Sequence, residues 1–121
     1  MDQEEFVEAV YKYIALRAST DVIETLKKPV GRRPSREAIQ RSEKYENLSG
    51  EAKEMCDWVA KESINTALFG FFCVLDGGRN INATIANSRL RLTLETESET
   101  IILSDNTEFS GLHDLYNSIS R

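Results

Sequence analysis

The sequence predicts an α+β fold that is mostly α, in one domain spanning residues 1–121. Three observations lead to this prediction. Apolar residues recur at helical spacing in segments on either side of a loop at 27–36. They alternate with polar residues in the segment RLRLTLET at 89–96, and helical spacing returns near the C-terminus. We therefore expect N-terminal helices, a long buried central helix, a C-terminal β-hairpin and a short terminal helix. This number of elements is typical of a single domain of this length.

The N-terminal region, residues 3–28, is predicted to form two consecutive helices. An apolar stripe runs along the first of them at helical spacing: Phe6, Val10, Tyr13 and Ile14. Ser19, Thr20 and Asp21 interrupt this pattern and are favoured N-cap residues, so we expect the second helix to begin there. The residues expected to face inward from the second helix are Val22, Ile23 and Leu26.

Residues 27–36, KKPVGRRPSR, form the clearest loop in the sequence and are called the basic segment below. Two prolines and a glycine break any helix there, and five positive charges occur without an acidic residue. Ser35 can cap the next helix, which we expect to run to about Asn47, and Ser49 can cap the helix that follows.

The most apolar stretch, LFGFFCVLDGG at 68–78, admits two interpretations. As a strand, 69–75 would turn at Asp76-Gly77 into a second strand. As a helix, it would end at Gly77 in the left-handed conformation that helix ends favour. From Glu51 the segment continues without a break through good helix formers such as Ala52 and Ala60, so we favour a long helix whose C-terminal end is apolar nearly all round. Its stripe comprises Ile64, Leu68, Phe71, Phe72 and Leu75.

The alternation of Leu90, Leu92 and Leu94 with polar residues predicts a half-buried antiparallel strand. The segment ETIILS at 99–104 is its expected partner, with a turn around Glu97 and Ser98. Asp105 or Thr107 can cap a last helix. The residues expected to face inward from that helix are Phe109, Leu112, Leu115, Tyr116 and Ile119.

Residues suited to catalysis or metal binding are few. His113, beside Asp114, could act as a general base and Cys73 as a nucleophile, but their spacing gives no reason to bring them together. Cys56 and Cys73 lack C-x-x-C spacing and are interpreted as reduced, buried residues. Zinc-binding and phosphate-loop patterns are absent from the sequence. We therefore expect a non-catalytic protein without a metal or cofactor.

The charge distribution argues against nucleic acid and the membrane as partners. The net charge of the chain is −5. Outside the basic segment there are 10 basic and 20 acidic residues, which gives this part a net charge of −10. The longest apolar run, 67–75, is too short to cross a bilayer whose hydrocarbon core is about 30 Å thick. The acidic N-terminus, MDQEEFVEAV, is unlike a secretion signal, so a cytoplasmic location is expected.

Acidic residues around the predicted hairpin form the candidate partner-binding surface: Glu95, Glu97, Glu99, Asp105 and Glu108. The first three are spaced two apart, which places side chains on one side of an extended chain. They can be interpreted as a solvated rim that prevents pairing of strand edges. Alternatively, they form a negative surface that attracts and selects a basic protein partner.

The C-terminal half resembles small bacterial immunity proteins of polymorphic and contact-dependent toxin systems. The resemblance covers residues 66–119 and is carried by ALFGFFCVLDGGRNI, the leucine-alternating hairpin and FSGLHDLYNSI. It implies stoichiometric inhibition of a cognate toxin, often by an acidic protein when the toxin is a basic nuclease, and it assigns no individual binding residues. The alternatives are an adaptor or regulatory module, such as one of phage origin, and a small enzyme that uses Cys73 or His113.

Overall fold

The computed structural model describes residues 1–77, 90–104 and 111–121. It confirms the α+β, mostly α prediction, with helices followed by an antiparallel hairpin and a terminal helix. The elements within the described residues are α1 (Gln3–Val10), a π-helical segment (Tyr11–Ala15), α2 (Leu16–Lys27), α3 (Arg36–Glu46), α4 (Gly50–Leu75), β1 (Leu92–Glu95), β2 (Thr100–Ser104) and α5 (Leu112–Ser120). The predicted features at Asp105, Thr107, Glu108 and Phe109 lie outside the described residues.

The predicted break near Ser19 is wrong, because α1, the π-helical segment and α2 follow one another without interruption. The hydroxyls of Ser19 and Thr20 donate hydrogen bonds to the carbonyl of Leu16, at 2.9 and 3.0 Å. Such bonds to the preceding turn satisfy these side chains inside a helix, so they do not act as caps here. Of the residues expected to face inward from α2, Ile23 and Leu26 are half-buried and Val22 is exposed.

The π-helical segment changes which residues of this long helix face the core. A π turn contains one residue more than an α turn and rotates everything that follows it. The predicted stripe assumed a uniform helix, but Tyr13 and Ile14 are 62% and 53% exposed. The buried residues around the segment are instead Val7, Val10, Ala15 and Ser19.

Side-chain caps fix the beginnings of three helices. The side-chain oxygens of Asp2, Ser35 and Ser49 each accept a hydrogen bond from the backbone N–H three residues later. The two serine caps are those predicted from the sequence. They set the starts of α3 and α4, and the Ser35 cap places the start of α3 at Arg36, the last residue of the basic segment.

The apolar stretch 68–75 is the C-terminal end of α4, so the helix interpretation is confirmed and the strand alternative is wrong. Gly77 follows with a φ of 81°, a conformation in which a Cβ is disfavoured. Phe72 and Leu75 are buried as expected. Phe71, in contrast, is 56% exposed, so this end of α4 keeps one side in solvent. None of the helices described is long and apolar enough to cross a membrane.

The core forms where the C-terminal half of α4 meets α1, the π-helical segment and α5. Its buried residues are Val7, Val10, Ala15, Phe72, Leu75, Leu112 and Tyr116. The ring of Phe72 lies 6.3 Å from that of Phe6 and 5.4 Å from that of Tyr116, measured between centroids.

The Tyr116 hydroxyl donates a 2.7 Å hydrogen bond to Asn65 Oδ1. Burial, with a smaller effect of Tyr11, raises the pKa of Tyr116 to about 12.

The hairpin pairs β1 and β2 as predicted, with Leu94 opposite Ile101 and a register irregularity between Leu92 and Thr93. Leu90 precedes the strand and is exposed, so only Leu92 and Leu94 are half-buried. Leu103 of β2 is buried, and its carbonyl accepts a hydrogen bond from the Gln3 side chain. This contact attaches the hairpin to the start of α1.

We expect Phe72→Ala to lower the free energy of unfolding by about 3–5 kcal/mol, because it removes a ring from the centre of the core. The matched control is Phe71→Ala, next in the chain but largely exposed, for which a loss of under about 1 kcal/mol is expected. Urea denaturation followed by circular dichroism measures both. Equal losses for the two variants would contradict this assignment of the core.

Tyr116 should make stability fall at alkaline pH. The unfolded chain releases the phenol proton near its ordinary pKa of about 10 and the folded chain near 12, so stability present below pH 10 is lost as the pH rises between these values. Tyr116→Phe has no such proton. We expect its unfolding free energy to decline less than that of the parent between about pH 9 and 11. An identical decline in the unfolding free energy of the parent and of Tyr116→Phe would contradict a buried, neutral phenol at Tyr116.

Candidate functional site

The predicted acidic surface is located at the turn of the hairpin. Glu95 is the last residue of β1, Glu97 lies in the turn, and Glu99 immediately precedes β2. All three are exposed, and none of them forms an ion pair with another described residue. We call residues 95–99 the acidic turn. Asp105 and Glu108, the other two predicted members, lie outside the described residues.

Thr96 fixes the conformation of the acidic turn. Its backbone N–H donates to the carbonyl of Glu99 at 2.8 Å, and its hydroxyl accepts from the Glu99 N–H at 3.0 Å. These bonds reverse the chain over Glu97 and Ser98. The glutamates are therefore gathered by a chain reversal, whereas the sequence argument assumed alternation along an extended strand.

An exposed apolar side chain lies close to the acidic turn on the same face of the hairpin. Ile102 is opposite Thr93 in the sheet, and Glu95 is opposite Thr100. Because side chains two residues apart on a strand share a face, these two pairs lie on the same side of the hairpin. Ile102 is 50% exposed. This face thus combines an apolar contact with negative charge, a combination that protein interfaces use.

A second cluster of polar side chains is centred on Asp76, which immediately follows α4. Its carboxylate is nearly fully buried; its Oδ2 lies 2.5 Å from His113 Nδ1 and accepts the His113 backbone N–H at 2.9 Å. Its Oδ1 accepts the hydroxyl of Ser104 at 3.1 Å. His113 Nε2 is 3.4 Å from Asp114. The sequence argument paired His113 with Asp114 and missed Asp76.

An aspartate that orients an imidazole is a feature of hydrolytic sites, but here Asp76 has a clear role in the fold. α5 begins after Gly111, which has no side chain to cap the helix, and Asp76 supplies the missing acceptor to the N–H of His113. A Cβ on Gly111 would lie 2.6 Å from that of Asp114, so glycine is needed there. Asp76 therefore joins the end of α4 to the start of α5.

Neither the cysteines nor the acidic residues assemble a metal site among the residues that the structure describes. Cys56 and Cys73 are not joined by a disulfide. Cys73 is buried as predicted, while Cys56 is only half-buried. The ring of His113 packs edge-on against Phe69, with centroids 5.8 Å apart. This ring contact is part of the direct packing of α4 against α5.

Sequence reasoning also missed an exposed apolar face on the N-terminal half of α4. Met55, Trp58 and Val59 occur at i, i+3 and i+4, and Trp58 is 59% exposed. On a helix these positions lie opposite Ile64, which packs against the core, and this opposition could have been read from the spacing. Tryptophan is enriched at the energetic centres of protein interfaces, so this face is a further candidate contact surface.

We expect Asp76→Ala to lower the free energy of unfolding by about 2–3 kcal/mol, because it removes the cap of α5 and hydrogen bonds to a buried carboxylate. Asp114→Ala, which changes an exposed carboxylate on the other side of the same imidazole, should cost less than about 0.5 kcal/mol. Thermal or urea denaturation of the two variants makes the comparison. An Asp76→Ala variant that is as stable as the parent would contradict the role of Asp76 in joining α4 to α5.

Comparison of the chain with models of protein families, with curated proteins and with solved structures finds no match. Function is therefore inferred from the chemistry of the described residues. The acidic turn contains three of the five residues predicted for the partner-binding surface, Glu95, Glu97 and Glu99.

Proposed function

We propose that the chain is a non-catalytic, cytoplasmic binding protein that neutralises a basic protein partner, acting as an immunity-type inhibitor of a toxin domain. The observation that supports this proposal is the gathering of Glu95, Glu97 and Glu99 in one exposed turn, without ion pairs to other described residues. The resemblance of residues 66–119 to immunity proteins supplies the class of partner.

The charge of the acidic turn suits fast capture of a basic partner. Opposite charges on two surfaces raise the rate of encounter by roughly 10- to 1,000-fold at low salt and disfavour partners of the wrong sign. A rigid turn keeps this effect directional, because the hydrogen bonds of Thr96 hold the glutamates in place before binding. Fast, stoichiometric capture is what an inhibitor of a toxic enzyme requires.

Affinity requires more than exposed charge, since ion pairs in solvent contribute little free energy. Ile102, on the same face as Glu95, offers apolar area that a partner can bury. In this proposal the glutamates select and orient the partner, and Ile102 slows its dissociation. Asp76 anchors the other end of β2, because its carboxylate accepts a hydrogen bond from the hydroxyl of Ser104, the last residue of that strand.

The test uses the partner that co-purifies with the tagged chain from its own host. We expect the double variant Glu97→Lys/Glu99→Lys to slow association by at least about tenfold, with a larger effect at lower salt because screening is weaker there. The matched control is Glu43→Lys/Glu54→Lys, which makes the same charge change on exposed positions of α3 and α4. Surface plasmon resonance gives the rates, and circular dichroism checks the fold.

Toxicity separates an inhibitor from an adaptor. Expression of the partner alone should arrest growth, co-expression of the parent chain should restore it, and the Glu97→Lys/Glu99→Lys variant should protect poorly. A partner that is harmless to the cell would favour the adaptor hypothesis. An association rate that is unchanged by the hairpin substitutions and by salt would exclude the acidic turn as the binding surface.

A further inference from the structure

An open, mainly apolar groove of about 340 Å³ runs between α2 and α3, on elements that the acidic turn does not include. It is lined by Asp21, Val22, Thr25, Leu26, Ala38 and Arg41. Val22 is 49% exposed there, although it is a large apolar residue. Of the four α2 residues in this lining, those at 22, 25 and 26 follow the i, i+3, i+4 spacing of one helix face.

The groove is held in a defined shape by local hydrogen bonds. The Ser42 hydroxyl of α3 donates to the carbonyl of Lys27, the last residue of α2, at 3.3 Å. Ser35 caps the start of α3, with its hydroxyl accepting from the N–H of Ala38, a residue of the lining. The two helices therefore keep their separation without a ligand.

The edge of the groove is strongly basic. The basic segment connects α2 to α3, and its five cationic side chains are all exposed: Lys27, Lys28, Arg32, Arg33 and Arg36. Arg41 adds a sixth cation within the lining itself. Residues 21–41 contain six basic and three acidic side chains, a net charge of +3 in a chain whose total is −5. The charge is thus concentrated at the apolar groove.

We propose that the α2–α3 groove binds an acidic amphipathic helix of a protein partner. Grooves between helices accept a further helix, whose apolar side chains at i, i+3 and i+4 fill the floor. Acidic residues on the flanks of that helix would contact Arg41 and the basic segment, which fixes its orientation. The groove is basic and selects an acidic partner, whereas the acidic turn selects a basic one. The inference about the groove therefore does not rest on the proposed function.

A protein helix fits the lining better than nucleic acid does. The six residues of the lining include Val22, Leu26 and Ala38 but no aromatic ring on which a base could stack. Affinity for nucleic acid is dominated by charge neutralisation, which an apolar floor does not supply.

The experiment is a titration of the ¹⁵N-labelled full chain, followed by NMR. The probe is a synthetic acidic peptide of about 16 residues, with leucines at i, i+3, i+4 and i+7 and glutamates between them, long enough to form a helix on binding. Its control has the same composition in an order without an apolar stripe. A single-stranded oligonucleotide is the competing class.

We expect the amphipathic peptide to shift the amide signals of Val22, Leu26 and Ala38, with a Kd at or below about 1 mM. Val22→Glu and Arg41→Glu should each weaken binding roughly tenfold or more. The matched controls are Ile14→Glu in the π-helical segment and Arg17→Glu on α2, exposed positions outside the lining, which should change the Kd less than about twofold.

Three results would overturn the inference: no shift at the groove with peptide at about 1 mM, equal binding of the peptide without a stripe, or preferential binding of the oligonucleotide to these residues. Equal loss in the variants and their controls would do the same. Glu97→Lys/Glu99→Lys should leave peptide binding unchanged, which separates this groove from the acidic turn.

Discussion

The contact of Phe72 with α1 and α5 is the interaction on which the rest of the structure depends. Its ring packs against Phe6 and Tyr116, so one side chain of α4 unites the N-terminal and C-terminal parts of the chain. This core lies along the C-terminal half of α4. α4 also contacts α2, and Trp58 in its N-terminal half is exposed.

α5 shows how strongly a short element depends on that core. An isolated helix of nine residues is unstable in water, because the few hydrogen bonds that it forms do not repay the cost of nucleation. Leu112 and Tyr116 are fully buried against α4, and Asp76 caps the N-terminus from outside the helix. α5 is therefore stabilised almost entirely by residues elsewhere in the chain.

Features encoded by neighbouring residues could be predicted, and features that need tertiary contacts could not. The caps at Ser35 and Ser49, the glycine at 77 and the hairpin follow from local rules. The contact between Asp76 and His113 joins residues 37 positions apart, and no spacing rule reveals it. Phe71 and Phe72 both belong to the predicted apolar stripe, and the spacing alone does not show that Phe71 is exposed while Phe72 is buried. The acidic turn was found from composition, but its geometry arises from Thr96.

The direction in which the basic segment points depends on the number of residues in the π-helical segment. A residue in an α-helix turns the chain by about 100°, so the single additional residue within Tyr11–Ala15 sets the angle between α1, fixed in the core, and α2, which carries the groove. Loss of one residue from this segment would leave both helices intact and turn the cationic end of the molecule towards another side. Insertions and deletions in this one turn could thus redirect a binding surface without altering a single residue of it.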